Sequence, residues 1–135
     1  MTRKIDHIGI VVKNAQERLK LYEELLNLKV TKVEELPERG LKVYFIEVGG
    51  TRLELLEPTS EKSEISSFLE KRGEGIHHLA FLVEGIEDII KKAKEGGFKP
   101  LSDEPQIGAG GRKVAFLHPK TTGGVLIELV EGEEG

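Results

Sequence analysis

The chain has 135 residues, which is enough for one domain or for two fused half-size units. Hydrophobic residues make up 38% of it, charged residues make up 33%, and 24 acidic against 20 basic side chains leave a net charge of −4. This balance excludes a protein built around a basic nucleic-acid-binding surface. The chain has no cysteine, which also excludes disulfides, thiolate metal sites and cysteine nucleophiles.

No apolar run approaches the roughly 18 residues that a membrane span requires, and the first residues lack the long apolar stretch of a signal peptide. We therefore expect a cytoplasmic protein that has neither a membrane nor a nucleic-acid partner. Glu and Lys dominate the charged residues while Asn and Gln are rare, a bias typical of thermostable proteins.

The first predicted elements are a strand and a helix. β-Branched and apolar residues predict a strand over residues 4–12. Asn14 followed by Glu17 has the spacing of a capping box and predicts that a helix begins there. After this cap, four residues recur at helical spacing and are expected to face the core: Ala15, Leu19, Tyr22 and Leu26.

Three strands and a connecting helix follow. The strands are expected near residues 28–34, 42–48 and 52–57. Gly49-Gly50 separates the last two strands and predicts a two-residue hairpin. Residues 59–72 are expected to form a helical linker that packs through Ile65, Phe68 and Leu69.

The second half of the chain predicts the same order of elements. A strand is expected over residues 76–83, and the helix after it has its core-facing residues at Ile86, Ile89, Ile90 and Ala93. Gly96-Gly97 is expected to end this helix. The remaining strands are expected near residues 98–101, 113–118 and 124–130.

The two halves also repeat in sequence. Three segments align in the same order, namely 6–12 with 77–83, 42–46 with 113–117 and 53–55 with 127–129. We interpret the chain as one domain over residues 1–135, made of two copies of one unit at about 1–58 and 73–131. The predicted fold class is α+β, with two tandem β-α-β-β-β modules.

Both copies place an imidazole beside a very small residue. Because residues two apart on a strand share a face, His7 shares a face with Gly9, and His78 shares one with Ala80. Each copy also has one glutamate inside an apolar strand, and a buried carboxylate must be paired or must bind a metal. The repeat therefore predicts a single metal ion with four ligands, which are His7, Glu54, His78 and Glu128.

Simpler explanations exist for each of these residues. A single strand histidine is more often a core or edge residue, Glu54 could pair with Arg52, and Glu128 could face solvent. The recurrence of both residue types at matched positions favours the metal site. His77 is expected to point to the opposite face of its strand, and His118 is expected to lie in a turn.

The ligand types limit the metal and its chemistry. Imidazole and carboxylate without thiolate suit borderline or hard divalent ions such as Zn, Ni, Co, Fe or Mn, and we expect one Co, Mn, Ni or Zn ion per chain. Such an ion is a Lewis acid that polarises a carbonyl and stabilises an enolate. A glutamate beside it can move the proton as general base and then acid.

A glycine-rich segment over residues 108–113 is a weaker candidate site. Its backbone N–H groups could bind an anion, which makes Gly110, Gly111 and Lys113 candidate substrate-binding residues. An ordinary flexible connection is about equally compatible with this composition.

Five motifs together resemble the vicinal oxygen chelate superfamily and, within it, the methylmalonyl-CoA epimerases. They lie at residues 6–12, 51–58, 75–81, 107–111 and 116–129. The resemblance implies two β-α-β-β-β modules that form a curved mixed sheet around a divalent metal held by His7, Glu54, His78 and Glu128. It also implies an acyl-CoA thioester substrate and a homodimer. Some members of the family carry Gln at the position of Glu54.

The resemblance further implies an activity, the epimerisation of (2R)- and (2S)-methylmalonyl-CoA through abstraction of the C2 proton and a metal-stabilised enolate. Glu128 matches one of the two proposed acid/bases. The second glutamate of some members aligns with Val43, which cannot move a proton. Glu47 is a candidate substitute, but we expect it to form a cross-strand ion pair with Arg52.

Three other activities compare less well with these residues. Lactoylglutathione lyase resembles the chain in fold and ligand set, but the motifs at 107–111 and 116–129 favour an epimerase. A ring-cleaving dioxygenase would normally have one carboxylate ligand and a longer chain. A non-catalytic ligand-binding protein of the same fold usually lacks the metal-binding residues.

Overall fold

The computed structural model describes residues 1–108 and 111–132. Within them it has eight strands and three α-helices, in the order β1 (Thr2–Val11), α1 (Ala15–Leu19), β2 (Val30–Leu36), β3 (Leu41–Val48), β4 (Thr51–Pro58), α2 (Glu64–Arg72), β5 (Gly75–Val83), α3 (Ile86–Glu95), β6 (Gln106–Ile107), β7 (Lys113–Leu117) and β8 (Leu126–Glu131). The predicted α+β class and the repeated β-α-β-β-β order are confirmed. No helix in the described part of the chain has the length and apolar character needed to cross a membrane.

Contacts between residues divide the chain into two compact units. The first unit is His7–His77, and the second unit combines Met1–Asp6 with His78–Gly135. The division falls inside β1 and β5. In the first unit the strand order is β2-β3-β4-β1, and in the second it is β5-β8-β7-β6.

The first unit buries two apolar clusters, one on each face of its strands. β1 runs parallel to β4, and β3 lies antiparallel to both of its neighbours, β2 and β4. One cluster joins α1 to the strands and consists of Val12, Ala15, Leu19, Tyr44, Ile46 and Leu55. The other contains Val11, Leu41, Val43, Leu56 and Ile65. Ile65 belongs to α2, so the predicted connecting helix covers the face opposite to α1.

The first helix begins as predicted but ends differently. The Asn14 side chain accepts a hydrogen bond from the backbone N–H of Glu17 at 3.3 Å, as expected for an N-cap. After Leu19 the chain continues as a π-helix, in which the N–H of Leu26 donates to the carbonyl of Leu21 at 3.0 Å. The wider turn shifts the phase of the side chains, so Leu26 is 52% exposed. The expectation that Leu26 faces the core is therefore wrong.

The hairpin between β3 and β4 has the predicted two-residue turn. Gly49 and Gly50 have φ angles of 54° and 90°, a combination that favours glycine and matches the twist of the flanking strands. The turn sets Val48 opposite Thr51 and therefore Glu47 opposite Arg52. Every neighbour of β4 on β3 depends on this register.

The second unit repeats this plan with one interruption. β5 runs parallel to β8, β7 pairs antiparallel with β8, and α3 packs through Ile86 and Ile90. The strand predicted over 98–101 is reduced to a single bridge from Pro100 to Leu117. Proline has no backbone N–H and cannot extend a ladder of hydrogen bonds. The edge strand β6 forms later in the chain instead.

Candidate metal centre

The first unit brings His7 and Glu54 together. Parallel pairing of β1 with β4 sets His7 opposite Arg52 and Gly9 opposite Glu54. His7 and Glu54 are therefore diagonal neighbours on one face, with Nδ1 of the imidazole 3.8 Å from Oε2 of the carboxylate. The two side chains are only 9% and 13% exposed. Gly9 has no side chain to fill the space beside them.

The second unit has the same arrangement. Parallel pairing of β5 with β8 sets His78 opposite Leu126 and Ala80 opposite Glu128. Nε2 of His78 lies 3.9 Å from Oε1 of Glu128, and the side chains are 12% and 13% exposed. The sequence repeat thus corresponds to two imidazole–carboxylate pairs with the same strand register. The small residue opposite the glutamate is Gly9 in the first pair and Ala80 in the second.

The chemistry of both pairs fits a divalent metal ion. Two donor atoms that bind one ion at about 2.1 Å each cannot be more than about 4.2 Å apart. The separations of 3.8 Å and 3.9 Å satisfy this limit in both pairs. The atoms of His7 and Glu54 belong to a group with the spacing of metal ligands. An imidazole with a carboxylate and no thiolate suits the borderline and hard ions expected from the sequence.

Arg52 contacts both members of the first pair, and its contact with Glu54 confirms the simpler explanation considered for that glutamate. Its Nη2 donates to Oε2 of Glu54 at 3.1 Å and lies 3.4 Å from Nδ1 of His7. The register confirms that Glu47 lies opposite Arg52, but the guanidinium contacts Glu54 instead of forming the expected cross-strand pair. The signal for this contact was present, since residue 52 shares a strand face with residue 54 and lies opposite His7.

The remaining histidines have other partners. The His77 ring packs edge-on against Phe68, with ring centroids 5.2 Å apart, and burial lowers the pKa of His77. Nδ1 of His118 accepts the backbone N–H of Lys120 at 3.1 Å and caps the short 3₁₀ turn Pro119–Thr121. His118 is therefore the turn residue that its position before proline predicts.

The glycine-rich segment is described in part. Gly110 lies outside the described residues. Gly111 has a φ of 74°, and its N–H donates to the carbonyl of Gly108 at 3.2 Å. The ammonium of Lys113 is hydrogen-bonded to the carboxylate of Glu87, which raises the pKa of Lys113 and lowers that of Glu87.

The sequence pattern of the Glyoxalase/Bleomycin resistance protein/Dioxygenase superfamily matches residues 6–116. The ethylmalonyl-CoA/methylmalonyl-CoA epimerase of Cereibacter sphaeroides is 40% identical over 131 residues, which cover 96% of this chain and 98% of that protein. The mitochondrial methylmalonyl-CoA epimerase of the mouse is 39% identical over 127 residues, covering 93% of this chain and 71% of that protein. The chain belongs to the methylmalonyl-CoA epimerase family.

The fold of this epimerase family member is also that of a solved relative. A variant of the Streptomyces coelicolor methylmalonyl-CoA epimerase, in complex with 2-nitronate-propionyl-CoA, superposes with a TM-score of 0.82 at 34% identity. The match covers 98% of this chain and 96% of that one. The predicted superfamily and the prediction of an isomerase of the epimerase class are confirmed by these comparisons.

Val43 is the apolar residue that the family resemblance aligned with a glutamate of some members. Val43 is 5% exposed and packs in the cluster that contains Leu56 and Ile65. It lies on the same face of β3 as Phe45, which is opposite Glu54. No proton can be exchanged at this position.

Proposed function

We propose that this protein interconverts (2R)- and (2S)-methylmalonyl-CoA with one divalent metal ion held by His7, Glu54, His78 and Glu128. The observation that carries the proposal is the common register of the two imidazole–carboxylate pairs, because a chain of this family has no structural need to bury the same pair twice. Membership of the methylmalonyl-CoA epimerase family supports the choice of substrate.

The metal ion would supply Lewis acidity, which lowers the cost of negative charge on the thioester oxygen of the substrate. The chain itself supplies the base. Glu128 projects from β8 between Ala80 on one side and Phe116 on the other. The small Ala80 leaves space beside the carboxylate for the acidic C2–H of the substrate. We assign abstraction of the C2 proton to the carboxylate of Glu128.

The ligand of the Streptomyces relative supports an enolate route. A nitronate is planar at its carbon and carries its negative charge on oxygen, as does the enolate that forms when C2 of methylmalonyl-CoA loses its proton. Analogues that resemble a high-energy state bind better than substrates do in general. A chain that shares the fold and 34% of the sequence with that protein is well suited to the same chemistry.

The second face of C2 must receive its proton from a group other than Val43. Glu47 is exposed near the hairpin and lies on the face of the first unit that carries His7 and Glu54. Glu47, another side chain or a bound water can act there. In each case the hydrogen that returns differs from the one removed, so product formed in D₂O should carry deuterium at C2 from the first turnover.

Two further assignments belong to this proposal. The segment 108–113, with Gly110, Gly111 and Lys113, would contact the phosphates of coenzyme A. Lys113 would then leave its partner Glu87 and bind a phosphate instead. The protein would be a cytoplasmic homodimer, and its mass in solution, measured by light scattering, tests the oligomeric state.

A turnover assay tests the proposed activity. Purified protein is stripped of metal and incubated with (2R)-methylmalonyl-CoA in D₂O, with and without added Co²⁺, and deuterium at C2 is followed by mass spectrometry against an enzyme-free sample. Metal-dependent exchange is expected. The same preparation is given the glutathione hemithioacetal of methylglyoxal. Turnover of this second substrate alone would identify a lactoylglutathione lyase-like isomerase, and turnover of neither would indicate a non-catalytic binding protein.

A further inference from the structure

The guanidinium of Arg52 contacts the carboxylate oxygen of Glu54 that lies closest to His7, and it also lies beside the His7 ring. Nη2 donates to Oε2 of Glu54 at 3.1 Å and lies 3.4 Å from Nδ1 of His7. An arginine side chain offers only N–H donors, so a hydrogen bond at this contact requires the tautomer of His7 in which Nδ1 carries no proton. Nδ1 and Oε2 are also the two atoms at which His7 and Glu54 approach each other most closely.

We propose that Arg52 is a built-in competitor of the divalent ion at the first pair. This inference rests on the proposed function, since it assumes the metal site described above. A lone pair cannot serve a guanidinium and a metal at once, and two cations beside one carboxylate repel each other. Arg52 holds the His7–Glu54 pair in the metal-free protein and withdraws from it as the ion binds.

The burial of Glu54 explains why a competitor is useful. The Glu54 side chain is 13% exposed, and an ionised carboxylate at such a site is costly unless a cation accompanies it. Arg52 supplies this cation from the same strand face, while its own side chain remains 34% exposed. The guanidinium can therefore reach solvent without any rearrangement of the strands.

The displaced guanidinium also has a second carboxylate within the register of the hairpin. Glu47 is exposed and lies directly opposite Arg52 on β3. Opposite positions of an antiparallel pair are close enough for an ion pair. Arg52 thus exchanges Glu54 for Glu47 when the metal binds, and it forms an ion pair with Glu47 in the metal-bound protein.

The second unit provides an internal comparison. The position that corresponds to Arg52 is Leu126, which lies opposite His78 as Arg52 lies opposite His7. Leu126 carries no charge, so it cannot compete for a metal ligand. The substitution Arg52→Leu therefore makes the first pair resemble the second at this position and removes the competing cation.

The test is a calorimetric titration of metal-free protein with Co²⁺. Arg52→Leu and Arg52→Gln should each bind the ion about 10-fold more tightly than the wild type, although the metal-free variants should unfold at lower temperature. Arg52→Lys keeps the charge and should remain closer to the wild type. Glu47→Gln should weaken binding about 2- to 3-fold in the wild-type background and have no effect together with Arg52→Leu, which a double-mutant cycle measures.

Two controls separate this inference from the proposed function. Arg18→Leu removes another arginine–carboxylate pair of the first unit, with Glu74, and should leave the affinity for Co²⁺ unchanged. His78→Ala should abolish the binding of the ion. Unchanged or weaker binding in both Arg52→Leu and Arg52→Gln, with a wild type whose ion is lost in His78→Ala, overturns the competitor role alone. If neither the wild type nor the Arg52 variants bind an ion, both proposals fail.

Discussion

The two units of this protein use one backbone pattern and differ in the side chains next to it. In the first unit a parallel strand pair sets His7 opposite Arg52, and in the second it sets His78 opposite Leu126. The imidazole–carboxylate separations nevertheless agree within 0.1 Å. The strand register therefore determines where the candidate ligands lie, while a single neighbouring residue determines the electrostatic environment of each pair. Four predictions can break or sharpen this comparison.

The largest expected effect is the loss of the metal ion when either pair is broken. His7→Ala and His78→Ala should each reduce the affinity for a divalent ion by more than the roughly 100-fold that loss of an outer-shell partner costs. His77→Ala should retain the ion, because this ring packs against Phe68. Metal analysis after dialysis measures all three variants. Full metal content in both His7→Ala and His78→Ala would mean that the ligands are elsewhere.

The two glutamates should differ in their effect on turnover. Glu128→Gln should reduce kcat by about 10²- to 10⁴-fold, because it removes the group that accepts the C2 proton. Glu54→Gln should retain much of the rate, since an amide oxygen can still bind the ion and the proton transfer does not require residue 54. The rate of deuterium incorporation in D₂O should fall in parallel with kcat in Glu128→Gln and stay closer to that of the wild type in Glu54→Gln.

Metal content must be measured beside these rates, because both substitutions alter a metal ligand. Normal turnover by a metal-loaded Glu128→Gln enzyme would show that Glu128 is not the base. Glu47→Gln tests the candidate second acid, and we expect it to preserve most of the activity at saturating metal because Glu47 pairs with Arg52 in the proposed metal-loaded protein. An inactive, metal-loaded Glu47→Gln enzyme would show that Glu47 takes part in proton transfer.

The cores of the two units should be of similar importance for stability. Ile65 of α2 and Ile90 of α3 are 1% and 3% exposed, each within an apolar cluster of its own unit. Truncation to Ala should cost about 2–5 kcal/mol in either case, because it removes buried methylene and methyl groups and leaves a cavity. Urea unfolding followed by circular dichroism measures both variants. A loss below about 1 kcal/mol at one position would show that its unit repacks.

The smallest effect concerns surface ion pairs and their pH dependence. The hydrogen bond from Arg18 lowers the pKa of Glu74 below its usual value of 4.5, so this pair adds stability above that pH and loses it as the pH falls and Glu74 becomes protonated. The stability lost in Arg18→Leu should therefore be small at neutral pH and should vanish in acid. The Lys113–Glu87 pair of the second unit, tested by Glu87→Gln, should behave alike. Thermal unfolding between pH 7 and pH 3 measures both.

Much of the fold follows from patterns that are local in the sequence. The alternation around His7 and His78, the Asn14 cap and the Gly49-Gly50 turn each specify a backbone conformation through nearby hydrogen bonds and sterics. The internal repeat then relates the two halves without any knowledge of their contacts. For this reason the histidine and the glutamate of each unit could be predicted to belong to one site.

Other features depended on which partners compete in three dimensions. The π-turn that exposes Leu26 could not be read from the apolar spacing, which is the same for a regular α-helix. Arg52 has one carboxylate opposite it, at Glu47, and another two residues along its own strand, at Glu54. Sequence spacing treats both as acceptable partners, because a long side chain can reach either. Only the tertiary structure shows that Arg52 pairs with Glu54. A nearby cation lowers the free energy of a mostly buried carboxylate more than that of an exposed one.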